Sequence, residues 1–366
     1  MAQIYKRGST WTARITKRVN RELVQASKGG FKTKAEARLW ATEQESQMMK
    51  GLDVLDDPSF ADFFEAWYHT FKEQSVAEST KKRYLTHAKI IREYFKETKL
   101  KKINRPAYQA FLNWYGESHA PSTVQKLDTM IKDCVASAVA DGIITINFTA
   151  KVKVVGDESR SFHVEYLNLD EIKKLVRYCY DNRDRRYASP YMVITAIYTG
   201  MRLGELSALQ WSDIDYGNQT ISITKSWNQD RRQMSKPKTE SSIRCIPVNG
   251  LVIDLFKELE ANKPEVETDF VFGSPFTDYP PTSQAVNQFL RRALSQCNMP
   301  KQDFHFHSLR HSHVAYLLSN GVDIYAISQR LGHANIGITL KVYAYLLDDY
   351  QKKENDKIIH SLDNLL

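Results

Sequence analysis

The chain has 366 residues, 42% hydrophobic and 26% charged, which is ordinary for a globular protein and long enough for two or three domains. No apolar run reaches the ~18 residues that span a bilayer, MAQIYKRGSTW lacks the apolar stretch of a secretory signal, and Cys134, Cys179, Cys245 and Cys297 are too far apart for a zinc ribbon or a disulfide framework. A cytoplasmic protein without a membrane anchor is expected. The net charge of +8 is localised: residues 1–42 hold ten of the 51 Lys and Arg and two of the 43 acids, and the rest of the chain balances at 41 of each. So concentrated a basic unit is the footprint of a nucleic-acid-binding module.

In chain order, residues 3–27 hold β-like runs, IYKRGSTWTARITKRV and ELVQAS, broken at Arg7, Gly8 and Ser9 and again near Asn20. A small three-stranded sheet is predicted. After Gly29 and Gly30, the spacing of Thr33 and Glu36 is that of a capping box, opening a helix to about Lys50. Arg7, Arg14, Lys17 and Arg18 on these strands are candidate DNA contacts of a first domain, 1–55. An acidic linker, GLDVLDDPS, follows.

A second, all-helical domain is predicted over 58–152. Phe60, Phe63, Phe64, Trp67 and Phe71 form an aromatic stripe at helical spacing. A second helix begins at Ser79 and Thr80, with Tyr84, Ala88, Ile91 and Phe95 inward and Lys81, Lys82, Arg83, Lys89 and Arg92 outward. Pro106 opens a third helix and Ser122 caps a fourth. The stripes are core residues; Lys81, Lys82 and Arg83 are candidate contacts to a duplex backbone.

From residue 165 to 366 helices and strands mix. Asp170 is read as a helix cap, and Ser189 and Pro190 open a helix ending at Gly200. ISITKSW and SSIRCIPV alternate apolar and polar residues, which predicts paired strands joined by the polar loop NQDRRQMSKPKTE, with Lys236 and Lys238 at its tip. Further helices begin near Val252, Ser283 and Ser308, and Asp323 caps one that ends at Gly332.

Four pieces of this last region suit phosphate chemistry. In TGMRLGELSALQW, Arg202 enters a helix with Glu205 one turn on; it offers a guanidinium fork to an anion, or simply pairs with Glu205. In SKPKTESSIR, a lysine on a hairpin can donate a proton or stand exposed. HFHSLRHSH puts His307 and Arg310 on one helix face and places four of the ten histidines within nine residues. His307 and His311 invite a metal reading, but no carboxylate or cysteine nearby completes a ligand set and Arg310 would repel the ion. In LGHANIGITLKVY, His333 follows a helix end and Tyr343 lies ten residues on.

The order Arg, Lys, His-x-x-Arg, His, Tyr, with TGMRLGEL, KPKT, HSLRH and LGH around it, resembles the tyrosine recombinase (phage integrase) family along the whole chain. The resemblance implies a multidomain α+β protein: an arm-type DNA-binding domain of one three-stranded sheet and a helix, an all-α SAM-like core-binding domain, and a mainly helical catalytic domain with a small antiparallel sheet. It implies site-specific recombination of a mobile element, from a phage or a conjugative transposon, through a 3′-phosphotyrosyl intermediate, with no metal, ATP or other cofactor. Arg202, Arg310, His307 and His333 would hold the phosphate, Lys238 would protonate the leaving oxygen, Glu205 would support the cluster, and Tyr343 would attack. Partners implied are double-stranded DNA at core and arm sites, a homotetramer exchanging C-terminal tails, a host DNA-bending protein and an excision factor. Ile358, Ile359, Leu362, Leu365 and Leu366 give the tail apolar groups suited to docking.

Tyr345 and Tyr350 compete for the role of nucleophile. On a helix, residues two apart point ~200° from each other, so Tyr343 and Tyr345 cannot share a pocket; Tyr350 shares the face of Tyr343 but lies about 10 Å along the axis and follows the anionic Asp348 and Asp349. Two other activities fit the motifs: an inert DNA-binding or architectural protein, and a type IB topoisomerase-like enzyme.

Overall fold

The computed structural model describes residues 3–19, 22–49, 58–161, 164–237, 239–261, 269–274, 277, 279–337 and 339–340, with backbone alone at 17–19, 22–26 and 43–49. Lys238, Tyr343, Tyr345, Tyr350 and the tail lie outside the described residues, as do the side chains of Lys17 and Arg18. The chain divides into two compact units, Met1–Phe162 and His163–Leu366.

The first unit opens with antiparallel strands β1 (Gln3–Arg7), β2 (Thr10–Val19) and β3 (Glu22–Phe31), on which α1 (Lys34–Met49) packs. Strand alternation sends Ala13 and Ile15 inward against Ala37 and Ala41, with Trp11, Phe31 and Trp40 around them. Arg14 therefore faces out, with its guanidinium 5.7 Å from the Tyr5 ring centre. Arg7 is exposed at the end of β1. Thr33 caps α1 by accepting the Glu36 N–H at 3.2 Å, and the Glu36 carboxylate reaches back to the Lys32 N–H at 3.0 Å.

Four helices follow: α2 (Phe60–Phe71), α3 (Glu78–Phe95), α4 (Arg105–Gly116) and α5 (Pro121–Ala140). Phe60, Phe64 and Trp67 are buried among them together with Tyr84, Ala88, Ile91 and Phe95. The aromatic stripe is shorter than its spacing predicts, because Phe71, the last residue of α2, is 58% exposed. Arg92 does not face solvent alone: it donates to Asp62 at 2.7 Å and Glu65 at 3.0 Å, tying α3 to α2. Lys81 lies 3.8 Å from Glu78, while Lys82 and Arg83 are exposed.

In the second unit, α6 (Leu169–Asp181) is capped by Asn168 rather than Asp170. The Asn168 side chain accepts from the Glu171 N–H, and the Glu171 carboxylate accepts from the Asn168 N–H, a complete capping box. Leu167, buried and bonded through its N–H to Ser312, sets that earlier start. Helix α7 (Ser189–Thr199) is apolar on nearly every side and contacts α6, α8 (Leu203–Ser207), α9 (Gly250–Glu260), α10 (Ser283–Gln296) and α11 (Phe306–Ser319). It is the axle of the unit.

The strand pairing agrees with the alternation, but the connecting loop does not stay a loop. Strand β4 (Ile214–Asp215) pairs with β5 (Thr220–Ile223), which pairs with β8 (Arg244–Pro247). Within the connection, β6 (Ser226–Asn228) and β7 (Gln233–Ser235) form a second ribbon, anchored by Trp227 packing 5.2 Å from Phe270 and 5.7 Å from Tyr279. Arg231 and Arg232 thus occupy the tip, and Lys236 sits at the base instead. Helix α12 (Ile324–Leu331) completes the described elements, its start held by the Asp323 side chain and its end by Gly332 in the left-handed region.

Candidate active site

Five predicted residues meet in one cleft of about 520 Å³: Arg202, Glu205, His307, Arg310 and His333 all line it. Lys236 and Lys225 line it too. They arrive from separate segments of the second unit. Arg202 precedes α8, His307 and Arg310 lie on α11, His333 follows α12, and the lysines come from the β6–β7 region.

Arg310 is only 2% exposed, so its charge needs partners. It donates to the carbonyls of Gly200 and Leu331 at 2.8 Å each and to His333 Nε2 at 2.8 Å. Gly200 and Leu331 stand at the C-termini of α7 and α12, where carbonyls lack intrahelical partners and the helix dipole is negative. The arginine therefore caps two helices and holds the cleft floor together. Gly200 is left-handed (φ +68), and a Cβ there would stand 2.7 Å from the His313 ring, so both backbone and packing require glycine.

His333 Nε2 faces an arginine, which can only donate, so its proton sits on Nδ1 and is given to Thr339 Oγ1 at 2.7 Å. The pKa values of the cleft imidazoles are depressed. Burial, followed by the charges of Arg310, Arg202 and Arg244, lowers His333 to about 4. His311, buried, is lowered to about 4 by desolvation, then by His307 and Arg310. His307 has an exposed edge but packs its ring 4.9 Å from that of His311; desolvation there, then Arg310 and His305, lowers it to about 4 as well. Among the described residues no three His, Cys, Asp or Glu side chains converge as a metal ligand set. His313 points away from the cleft, with Nδ1 donating to the Ile197 carbonyl at 2.8 Å.

These shifts predict acid sensitivity. A histidine near 6.5 in the unfolded chain and near 4 when folded leaves the native state short of protons between those values, so stability is full above about pH 6.5 and falls as pH drops toward 4. The thermal midpoint, followed by circular dichroism, is expected to fall steadily between pH 7 and pH 4.5; a flat profile contradicts the neutral-imidazole cleft.

Glu205 is 6% exposed and is the most heavily bonded acid of the cleft. It accepts from the Arg202 backbone N–H at 2.9 Å and the Arg202 guanidinium at 2.7 Å. Burial raises its pKa, but the bonds and charge of Arg244, then those of Arg202, outweigh burial and leave it lowered. Arg244 is the residue that sequence reading missed. The available signal was its register: Arg244 shares a strand face with buried Ile246 and Val248, an odd place for a charge without a buried partner.

Arg7, Arg14, Lys82 and Arg83 stand on exposed surfaces of their own sheet and helix.

An arginine-rich cleft on a mainly helical unit with a small antiparallel sheet, in a chain that also carries a helical bundle and a basic sheet domain, defines a DNA strand-transfer enzyme of the tyrosine recombinase class. The comparisons agree. The family described as phage integrase matches residues 165–349, its SAM-like N-terminal domain matches 59–115, and a family of unknown function matches 1–55. A XerC-like tyrosine recombinase of Caldanaerobacter subterraneus is 25% identical over 91% of this chain and 90% of its own length. The ICEBs1 integrase of Bacillus subtilis is 27% identical over 76% of this chain and 75% of its own. A solved structure of the Tn1549 transposon integrase with DNA shares the fold at a TM-score of 0.69 and 18% identity, covering 82% of this chain and 99% of that one. The chain belongs to the phage integrase family, and it is an enzyme that cuts and rejoins DNA.

Proposed function

We propose that this chain is a mobile-element integrase in which Tyr343 attacks a phosphodiester held by Arg202, Arg310 and His307, with His333, both of whose ring nitrogens are engaged, orienting Arg310. The observation that carries the reading is the convergence of two arginines and two neutral imidazoles in one cleft. A bound phosphodiester carries one negative charge, and attack concentrates more on its non-bridging oxygens, where fixed guanidinium groups stabilise it. The Tyr343 oxygen gives its proton to neutral His307 and forms a bond to phosphorus as the bond to the 5′-oxygen breaks, and Lys238 gives that departing oxygen a proton. The ester retains the energy of the broken bond, so a 5′-hydroxyl can reverse the step without ATP.

Residues 1–55, with Arg7, Arg14, Lys17 and Arg18, are proposed to hold arm sites; residues 58–152, with Lys81, Lys82 and Arg83, to grip core DNA; and 165–366 to carry catalysis. The basic excess of the first segment and the names of relatives from integrative elements and phages support this reading. Action on DNA in the cytoplasm is part of this proposal; no described helix is long and apolar enough to cross a membrane.

Assembly as a tetramer on DNA is supported by a solved lambda integrase tetramer bound to a Holliday junction, similar in fold at a TM-score of 0.56. An apolar groove of about 1110 Å³ lies beside α6, β8 and α12, lined in part by Ile172, Val176, Leu317 and Ile327. The apolar residues of a neighbouring copy's tail, Ile358, Ile359 and Leu362, match its chemistry. A host bending protein and an excision factor complete the proposed set of partners.

Removing residues 1–55 is expected to abolish integration between attachment sites while sparing cleavage of a short core-site duplex in EDTA. A truncated chain that integrates like the full one sinks the two-site reading.

A further inference from the structure

Arg244 is buried to 6% side-chain exposure at the start of β8, directly behind the cleft. Its two Nη atoms reach both Glu205 oxygens, Nη2 at 2.9 Å and Nη1 at 3.3 Å. Its Nε donates to the Arg330 carbonyl at 2.7 Å, in the last turn of α12, and Nη1 also donates to the Ser242 carbonyl at 3.0 Å. The backbone of Gly332 lies against it: a Cβ on Gly332 would stand 3.1 Å from Arg244 Nη1. One side chain thus touches Glu205, the end of α12 and the residue before His333.

The charge count gives this contact a consequence. A buried carboxylate facing Arg202 alone would make a neutral pair and hold that guanidinium for itself. With Arg244 on its other side, the trio carries net positive charge, and the exposed member is Arg202, at 37% against 6% for each of the other two side chains. The surplus therefore faces the cleft, where a phosphate would lie.

We propose that Arg244 is a positioning residue for strand cleavage: by balancing Glu205 and pinning the end of α12, it keeps Arg202 and the His333 loop aimed at the scissile phosphate. The inference rests on the transesterase reading above. It is tested by single-turnover cleavage of a core-site duplex, with DNA affinity measured in parallel. Arg244→Met is expected to slow cleavage roughly 100-fold, and on an Arg202→Ala background to cost less than about threefold more, the non-additivity of groups acting as one unit. Arg244→Lys, which keeps the charge but loses the fork, is expected to slow cleavage about tenfold. Core-site affinity should stay within about threefold for both variants, because the many phosphate contacts of the interface are untouched.

An equal loss from Arg244→Met on the wild-type and Arg202→Ala backgrounds overturns the proposal. If Arg244→Met does not fold, Arg244→Lys decides: cleavage at the wild-type rate overturns it. A wild-type chain that never forms a phosphotyrosyl bond counts instead against the transesterase reading. A crystal structure of Arg244→Lys then still judges Arg244, since Arg202 and Glu205 left unmoved overturn its role, and Arg202 swung onto both Glu205 oxygens supports it.

Discussion

Tyr343→Phe is expected to bind a nicked core-site duplex with wild-type affinity and to form no SDS-resistant protein–DNA band. Wild type and Tyr345→Phe both form it, in EDTA and without ATP. The substitution removes one oxygen, and that oxygen is the proposed nucleophile; a phenyl ring has no atom that can bond to phosphorus. Affinity survives because it comes from many phosphate contacts spread over the interface rather than from one hydroxyl. Tyr345 is the right control, since on a helix residues two apart would point ~200° from one another and only one of the pair could serve a common pocket. Lys341 precedes Tyr343 while Asp348 and Asp349 precede Tyr350, so charge also favours Tyr343 near a phosphodiester. A band from Tyr343→Phe, or its loss in Tyr345→Phe alone, moves the nucleophile. Should no variant form a band on any core site while a control integrase does, the inert DNA-binding alternative takes the lead.

Arg310→Ala is expected to reduce cleavage by about 10²–10³-fold, the usual cost of removing one preorganised donor to a developing oxyanion. It should also destabilise the fold. Its guanidinium is buried and caps the carbonyls of Gly200 and Leu331, which would be left without that partner at a cost of about 1–3 kcal/mol each. The two effects separate experimentally. Cleavage measured well below the variant's own melting temperature reports catalysis, and the thermal midpoint reports the lost caps. Arg310→Lys keeps a charge but replaces a planar fork with a single ammonium, which cannot span Gly200, Leu331 and His333 together, so it should recover little activity. Cleavage by Arg310→Ala within tenfold of wild type would remove this arginine from the proposed mechanism.

Much of the architecture was legible in the residues alone because local rules decide it. The strand alternation of β5 and β8, the stop of α7 at Gly200 and the cap of α12 at Asp323 all follow from neighbours within a few positions. So does the basic first segment, which is a matter of counting. The order of the arginine, histidine and tyrosine motifs needed no coordinates either, since each motif is short and contiguous. What a single sequence leaves open is which of several plausible partners a side chain takes. Asn168 and Asp170 both suit a cap, and the buried Leu167 chose between them. A polar loop between two strands folds into a ribbon only if something holds it, and Trp227 does so by reaching Phe270 and Tyr279.

The cleft itself was decided by tertiary structure. The motif order names Arg310, but its burial and its role as a cap exist only once α7 and α12 bring the carbonyls of Gly200 and Leu331 to it from 110 and 21 residues away. His313 has the same chemistry as His307 in the sequence, yet α11 turns it toward the Ile197 carbonyl and leaves it out of the cleft. Arg244 looks like a strand charge until Glu205, 39 residues distant, meets both arms of its fork. Composition, periodicity and motif order are properties of neighbouring residues, so the sequence by itself determined the elements, their order and the class of chemistry. Charge balance in a buried site depends on contacts between residues far apart in the chain, and those exist only once α7 has gathered the surrounding helices.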